Sequence, residues 1–411
     1  MNKIITVVGG SYIEECCFPE FTISRGSGVR AACILNGLRD IVELNTVLGP
    51  RSRSRFQKIT AKKGITLHAR EGTADIWFRY RHPLAKPTIF QANLSVAQKH
   101  HISTKDALVF GMIEGRPQVT ANRVVYDPQD GHRSKPFDFN ESTAKELAIV
   151  ASLSEAQAIT GERNTADAAT KLLSSPSCVA VVIKCGPQGA LVATPTSQRW
   201  VFAFPSENVW KIGSGDVFSA AYAHAWLAEG KDPLESAWFA SRMVTAYVNS
   251  RQEAFTPEEM GRIRAEAATA VLHKTMPAAR EIPKGQIYLA GPFFTTAQQW
   301  LIDEARSAFL DMGFRVFSPV HHVGRGGANE VAPADLIGLD DSSLVFAILD
   351  GLDSGTIFEV GYARAKGIPV VGVAEACDDN ALTMLHGSGC LITHDFTTGI
   401  YTACWKLMND V

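Results

Sequence analysis

No stretch of the 411 residues approaches the roughly 18 consecutive apolar residues that would span a bilayer. The first ten residues have only a short apolar stretch, end in Gly9-Gly10 and are followed by no small-residue cleavage site, so they do not read as a signal peptide. We therefore expect a cytoplasmic protein. Charge of one sign is not in excess either: 40 Lys+Arg face 42 Asp+Glu, for a net charge of −2. That balance argues against general nucleic-acid binding. The densest basic cluster, Arg51, Arg53 and Arg55, is interleaved with serines and reads as a solvated loop. The eight cysteines include no C-x-x-C pair and no Cys/His ligand spacing. Buried free thiols are expected, with neither a disulfide framework nor a structural zinc site. Internal repeats and low-complexity tracts are also missing.

What is present is the composition of a globular protein, 46% hydrophobic and 20% charged. The length is too great for one ordinary core, so two domains are expected. Residues 3–10 read as a buried strand, 30–39 as a helix, and 66–89 as short alternating strands. Buried strands follow at 107–112, 122–126 and 179–184, then helices at 214–229, 233–249 and 257–273. Residues 274–285 carry two prolines, four charges of mixed sign and no apolar period, which marks a linker. A second series starts directly after it: strand 286–290, helix 296–312, strands 314–317 and 343–349, helix 355–366, strand 368–373. Strands interleaved with helices predict parallel α/β sheets in both halves. The expected architecture is two doubly wound α/β domains in tandem, residues 1–273 and 286–411.

In the first half, Gly213-Ser214-Gly215-Asp216 stands just before an apolar helix. Glycines there leave backbone N–H groups bare at the positive end of the helix, which suits an anion. A carboxylate at the same turn is where a base would take a proton from a hydroxyl attacking a phosphate. A glycine-rich helix start with an ordinary capping Asp accounts for the same residues. Residues 213–216 resemble the G-x-G-D signature of ribokinase-like (PfkB-type) carbohydrate and nucleoside kinases. Lys184 to Ala190, with Gly186 and Gly189, looks like that family's nucleotide-side turn. Arg25 to Ala32, with Gly26 and Gly28, sits where its first glycine-rich, substrate-side motif belongs. The resemblance covers roughly residues 1–270. It implies that Asp216 is the catalytic base and that Gly213, Ser214 and Gly215 form an anion hole. Gly186 and Gly189 would lie beside ATP, and the strands before residue 90 would form a small lid. It also implies ATP and Mg2+ as cofactors, with Glu155 tied indirectly to the metal. Two departures stand out. Ser152 occupies the place of an Asn in the family's N-x-x-E motif, and Glu14 and Glu15 replace an Asp that grips sugar hydroxyls.

In the second half, an apolar run at 344–349 is followed by Asp350-Gly351 and by Asp353-Ser354-Gly355-Thr356-Ile357-Phe358-Glu359-Val360-Gly361-Tyr362-Ala363. Ligands of open α/β sheets bind at the carboxyl ends of the strands. That places Asp353 in the turn at the mouth and Glu359 about a turn and a half into the helix. Two carboxylates at one mouth suit glycosyl chemistry: one attacks or stabilises an anomeric carbon, the other handles a proton or a hydroxyl. A helix cap and a first-turn acid favoured by the dipole are the alternative. With Ile287-Tyr288-Leu289-Ala290-Gly291-Pro292-Phe293-Phe294 opening the domain, residues 286–411 resemble the nucleoside 2-deoxyribosyltransferase family. That family includes related N-glycoside hydrolases acting on nucleoside 5′-monophosphates. The resemblance implies that Glu359 is the nucleophile of a glycosyl-enzyme intermediate and that Tyr288 orients it. Asp353 and Asp335 would contact base or sugar, and Gly291, Pro292, Phe293 and Gly355 would line the pocket, with no cofactor. Residues 318–327, with His321, His322 and Arg325, read either as a grip for a 5′-phosphate or as a plain mobile loop.

The function expected from both halves is cleavage or exchange of N-glycosidic bonds of nucleosides or nucleotides by Glu359, joined to an ATP-dependent sugar or nucleoside kinase. The alternative is a regulated nucleotide-depleting effector whose kinase-like half senses a ligand without turnover. Partners are nucleosides, nucleotides and ATP, in a homo-oligomer, without nucleic acid or membrane.

Overall fold

A computed structural model describes residues 3–90, 99–129, 133–272 and 284–409. The chain divides into two compact units, residues 1–206 with 210–279, and residues 280–411 with 207–209. Of the expected linker, residues 274–283 lie outside the described residues.

Among the described residues the first unit holds thirteen strands: β1 Ile4–Val8, β2 Ile13–Cys16, β3 Phe21–Ser24, β4 Ile41–Leu48, β5 Thr66–Glu71, β6 Trp77–Tyr80, β7 Thr88–Phe90, β8 His100–Phe110, β9 Pro117–Asp127, β10 Thr143–Ser152, β11 Cys178–Lys184, β12 Ala190–Thr194 and β13 Ser197–Val201. Nine form one sheet in the order β13-β12-β11-β10-β9-β8-β1-β4-β5. Its seven strands from β11 to β5 run parallel, and β12 and β13 add an antiparallel edge. Their parallel stretches are near-continuous apolar runs because both faces are covered. Helices Gly26–Gly37, Ser214–Ala223 and Pro233–Ser250 pack in the core on one face, and Leu153–Thr160 with Thr165–Leu173 on the other.

A separate four-stranded sheet, β3-β2-β6-β7, forms the expected small β layer. Its composition differs from expectation. Residues 66–71 pair in parallel with β4 at the edge of the large sheet, while residues 13–24 supply two strands of the small one. The basic cluster also departs from a loop: Arg53 and Arg55 begin helix Arg53–Lys63, anchored by Asp75 accepting from the backbone N–H groups of Arg51 and Ser52. All eight cysteines are free.

The second unit is a five-stranded parallel sheet built from β14 Gln286–Ala290, β15 Arg315–Phe317, β16 Ser342–Ile348, β17 Val370–Val373 and β18 Leu391–Thr393. The spatial order is β15-β14-β16-β17-β18. Helices Thr296–Asp311 and Phe396–Asn409 pack against each other on one face, and Ala328–Asp340 with Ser354–Ala365 on the other. Alternation along β14 explains the two-sided burial: Ile287 and Leu289 face one layer, Tyr288 and Ala290 the other, and all four are buried. Taken in chain order the strands run 2-1-3-4-5. The order reverses between β14 and β16, so the ends of those strands form the crevice where ligands of such sheets bind. No helix among the described residues is long and apolar enough to cross a membrane.

Candidate functional site

At the crevice of the second unit, β14 contributes Tyr288 and helix Ser354–Ala365 contributes Glu359. The Tyr288 hydroxyl donates to Glu359 Oε1 at 2.6 Å. The tyrosine is fully buried and its ring stacks on Phe317, with centroids 5.5 Å apart. His322 also stacks on Phe317, with centroids 4.9 Å apart. The phenol is thus fixed by packing before it is fixed by its hydrogen bond. Burial pushes the Glu359 carboxyl up to about 7; the phenol pulls it down, and the nearby charges of Asp335 and Asp353 push it further up. Burial, then the charge of Glu359, also raises Tyr288 far above the ordinary phenol range, so it stays a donor.

Asp353 is the N-cap of the helix that carries Glu359. Its Oδ2 accepts from the Thr356 backbone N–H at 2.8 Å and from the Thr356 hydroxyl at 3.0 Å. The helix-cap role and a place beside Glu359 therefore hold together in one residue. Asp335, on helix Ala328–Asp340, is half-buried; its Oδ1 is buried without a hydrogen-bond partner, and burial raises its pKa. Gly291 follows β14, and a Cβ there would lie 2.8 Å from Ile302 Cδ1 and 3.1 Å from Ile348 Cβ, so a side chain would require Ile302 to shift. The adjacent Phe293 and Phe294 rings stack at 5.4 Å, with Phe294 exposed.

The histidines of 318–327 have structural partners. His321 bonds to Ser318 Oγ at 2.9 Å and pairs with Asp303 at 3.0 Å, and His322 bonds to the Ser318 backbone. Residues Pro319–His322 form a short helix rather than a loop. Arg325 donates to the Phe293 carbonyl at 3.2 Å, which places it beside the 291–294 turn.

In the first unit, Gly26, Glu155, Gly213, Gly215 and Asp216 line one cavity of about 250 Å³, together with Glu14 and Arg30. Gly186 and Gly189 lie apart from it, in the turn between β11 and β12, and Ser214 and Gly28 are not in its lining. Arg30 decides the chemistry here. Its guanidinium is fully buried, donates to both carboxylate oxygens of Glu14 (2.9 Å to Oε1, with a shorter contact to Oε2), and donates to Asp216 Oδ2 at 2.8 Å. Gln129 donates to Asp216 Oδ1 at 2.8 Å. Gly213 has φ 79°, and a Cβ there would fall 2.3 Å from the guanidinium, so only glycine fits beneath it. Burial raises the Asp216 carboxyl and Arg30 pulls it back; one cation between two buried carboxylates leaves it raised.

Around the helix start, Lys211 donates to Ser214 Oγ at 2.9 Å, and Lys184 pairs with Asp127 at 2.7 Å. Burial, then Lys184, pushes the Lys211 amine down to about 8. Glu155 is used as a capping acid: its Oε2 accepts from the Ser152 N–H at 2.7 Å while Ser152 Oγ accepts from the Glu155 N–H. Among the described residues no group of three or more His, Cys, Asp or Glu side chains is placed to hold a metal ion.

Residues 120–258 match the pfkB family carbohydrate kinase model, and residues 287–394 match the nucleoside 2-deoxyribosyltransferase model. The chain joins a PfkB-like domain to a nucleoside 2-deoxyribosyltransferase-like domain. Solved structures similar to it include ribokinase from Thermotoga maritima, at 18% identity over 64% of this chain and 99% of that one, with a TM-score of 0.47. A phosphofructokinase-2 mutant from Escherichia coli is similar at 14% identity over 65% and 100%, with a TM-score of 0.48. A pyrophosphate-dependent kinase in the ribokinase family, complexed with a pyrophosphate analog and myo-inositol, is similar at 15% over 63% and 99%, with a TM-score of 0.47. No curated protein matches the chain.

Arg30, Gln129 and Lys211 are the site groups that sequence reasoning passed over. Arg30 carries the one readable signal, a lone cation in the apolar helix stretch 29–35. Such a residue is almost never fully buried unless paired.

Proposed function

We propose that the second unit cleaves or exchanges the N-glycosidic bond of nucleosides or nucleotides, with Glu359 as nucleophile. The observation that carries this reading is the 2.6 Å hydrogen bond from a buried, stacked phenol to a carboxylate at the crevice of the sheet. A Glu359 carboxylate oxygen attacks C1′, and the base departs with the electron pair of the C1′–N bond and takes up a proton. Solvent at the mouth of the crevice supplies that proton, and Asp335 contacts the base or sugar. Water or the ring nitrogen of a second base then attacks C1′ and loses its proton to solvent, while the C1′–O bond breaks and its electron pair returns to the Glu359 carboxylate. Asp353 holds the helix start, and Gly291, Pro292, Phe293 and Gly355 border the pocket. No cofactor is needed by these steps.

The test is base release from a mixed panel of nucleosides and nucleoside 5′-monophosphates, separated by chromatography. Glu359→Ala is expected to lose several orders of magnitude. A variant retaining more than about a tenth of the wild-type rate removes the nucleophile assignment.

For the first unit two readings stand, an ATP- and Mg2+-dependent sugar or nucleoside kinase with Asp216 as base, and a ligand sensor without turnover. The Arg30 and Gln129 bonds to Asp216 favour the sensor, because a carboxylate held by a cation and a carboxamide is a weaker proton acceptor. On this reading the chain is a regulated, cytoplasmic nucleotide-depleting effector, assembled as a homo-oligomer. Incubation with ATP and the nucleoside panel separates the two: stoichiometric ADP with a phosphorylated product establishes the kinase.

A further inference from the structure

A second and larger hollow, of about 630 Å³, adjoins the Asp216 cavity. Its origin lies in the connection between β8 and β9, which is only the six residues 111–116. Parallel neighbours are usually joined by a crossover helix, and none covers this stretch. The ends of the two strands border the hollow, whose lining among the described residues includes Val109, Phe110, Met112 and Tyr126. The 3-10 turn Phe137–Asn140 closes one side, held by the Tyr126 hydroxyl donating to the Lys135 carbonyl at 2.8 Å and by the Tyr126–Phe137 ring contact. Phe139 stands 57% exposed in this lining, with Lys135 Nζ 5.3 Å from its ring centre. The charged groups among the described lining residues are Arg116, Arg133 and Lys135, without a carboxylate.

The partition toward Asp216 is thin. Ile89, Gly111 and Ile113 line both spaces. A Cβ on Gly111 would fall 1.8 Å from the Pro128 carbonyl oxygen, so no side chain can stand there. Gln129, directly after Pro128, takes a φ of 44°, uncommon for a residue with a side chain, and reaches back to Asp216.

We propose that this hollow holds the nucleobase of a ligand whose ribosyl group lies in the Asp216 cavity. The inference rests on the reading of the first unit as a nucleoside or nucleotide binder, and says where the base goes. A volume of this size suits a small aromatic ligand, and an exposed ring offers a stacking face. Lysine and arginine only donate, so they match carbonyl oxygens and ring nitrogens. Oxo-bases such as guanine are the favoured class.

The experiment irradiates the full-length protein with 8-azidoguanosine and maps labelled peptides by mass spectrometry. Label is expected in residues 109–117 or 133–142, protected by guanosine but not by free ribose. Phe139→Ala, a change at an exposed ring, and Met112→Trp, which fills the hollow, are each expected to cut that label about tenfold. Label in residues 9–32 or 77–80 without these peptides overturns the hollow but keeps nucleoside binding by the first unit. Label confined to the second unit, or absent, overturns both. Equal protection by ribose, or unchanged label in both variants, overturns the hollow.

Discussion

Replacing Tyr288 by Phe removes one hydroxyl and leaves the ring that stacks on Phe317, so the perturbation falls on Glu359 rather than on the core. Glu359 sits at about 7 with the phenol in place. A hydrogen bond to a charged group contributes roughly 1.5–3 kcal/mol, which converts to about 1–2 pKa units at 1.36 kcal/mol per unit. Loss of the donor should therefore move Glu359 to roughly 8–9. A nucleophile must be ionised, so activity rises with pH through this value and falls on the acid side. At pH 7 the wild type is about half ionised and the variant about 1–10%, a loss of roughly 5- to 50-fold. At pH 10 the two should agree within about twofold.

The assay is kcat/KM for base release from pH 5 to 10, which reports ionisation in the free enzyme. A Tyr288→Phe enzyme that loses the same factor at every pH, or whose acid limb moves down, refutes the assignment of the phenol as the donor that lowers Glu359. A parallel loss of kcat/KM in Glu359→Ala across the whole range distinguishes removal of the nucleophile from its titration.

The same raised carboxyl has a cost in stability. Because the folded value lies above the unfolded one, the native state binds more protons between about 4.5 and about 7, and stability falls as pH rises through that window. Glu359→Gln should then be more stable than wild type at pH 8 by about 1–3 kcal/mol and nearly equal at pH 4, in urea titrations; a less stable variant at pH 8 sinks the argument. Arg30→Met leaves Glu14 and Asp216 buried without their shared cation and should cost about 3–5 kcal/mol; a change under about 1 kcal/mol in the urea-derived free energy contradicts the buried triad. Asp216→Asn should abolish any phosphoryl transfer while base release stays within about twofold of wild type, and loss of both activities together argues against independent sites.

The crevice of the second unit was legible because its parts are local. An apolar run, a Gly-containing turn and an acid at helical spacing lie within residues 344–359, and the rule for open sheets assigns them to one mouth. Tyr288 lies 71 residues away, yet its alternation along β14 follows from a strand pattern. The first unit resisted because its decisive contacts are neither local nor periodic. Arg30 pairs with Asp216 across 186 residues and Gln129 with Asp216 across 87, and no spacing in either segment announces the other. Sheet membership was hidden for a similar reason: residues 66–71 alternate like the strands of the small sheet, but partner choice is set by β4. The pair His321-His322, whose residue types suggest anion binding, has Ser318, Asp303 and Phe317 as partners, of which Asp303 lies on another element and is announced by no local spacing.

One contrast between the units bears on where chemistry belongs. In both, a buried acid is met by a donor at hydrogen-bond distance, and in both burial raises the acid. At Glu359 the donor is a neutral phenol, which orients the carboxylate while leaving its charge uncompensated and its neighbours acidic. At Asp216 the donor is a guanidinium, and a carboxamide holds the second oxygen. A nucleophile or base works through the electron density that a cation withdraws, so the first arrangement favours reaction and the second favours binding. That difference supports assigning bond cleavage to the crevice of Glu359 and ligand recognition to the cavity of Asp216.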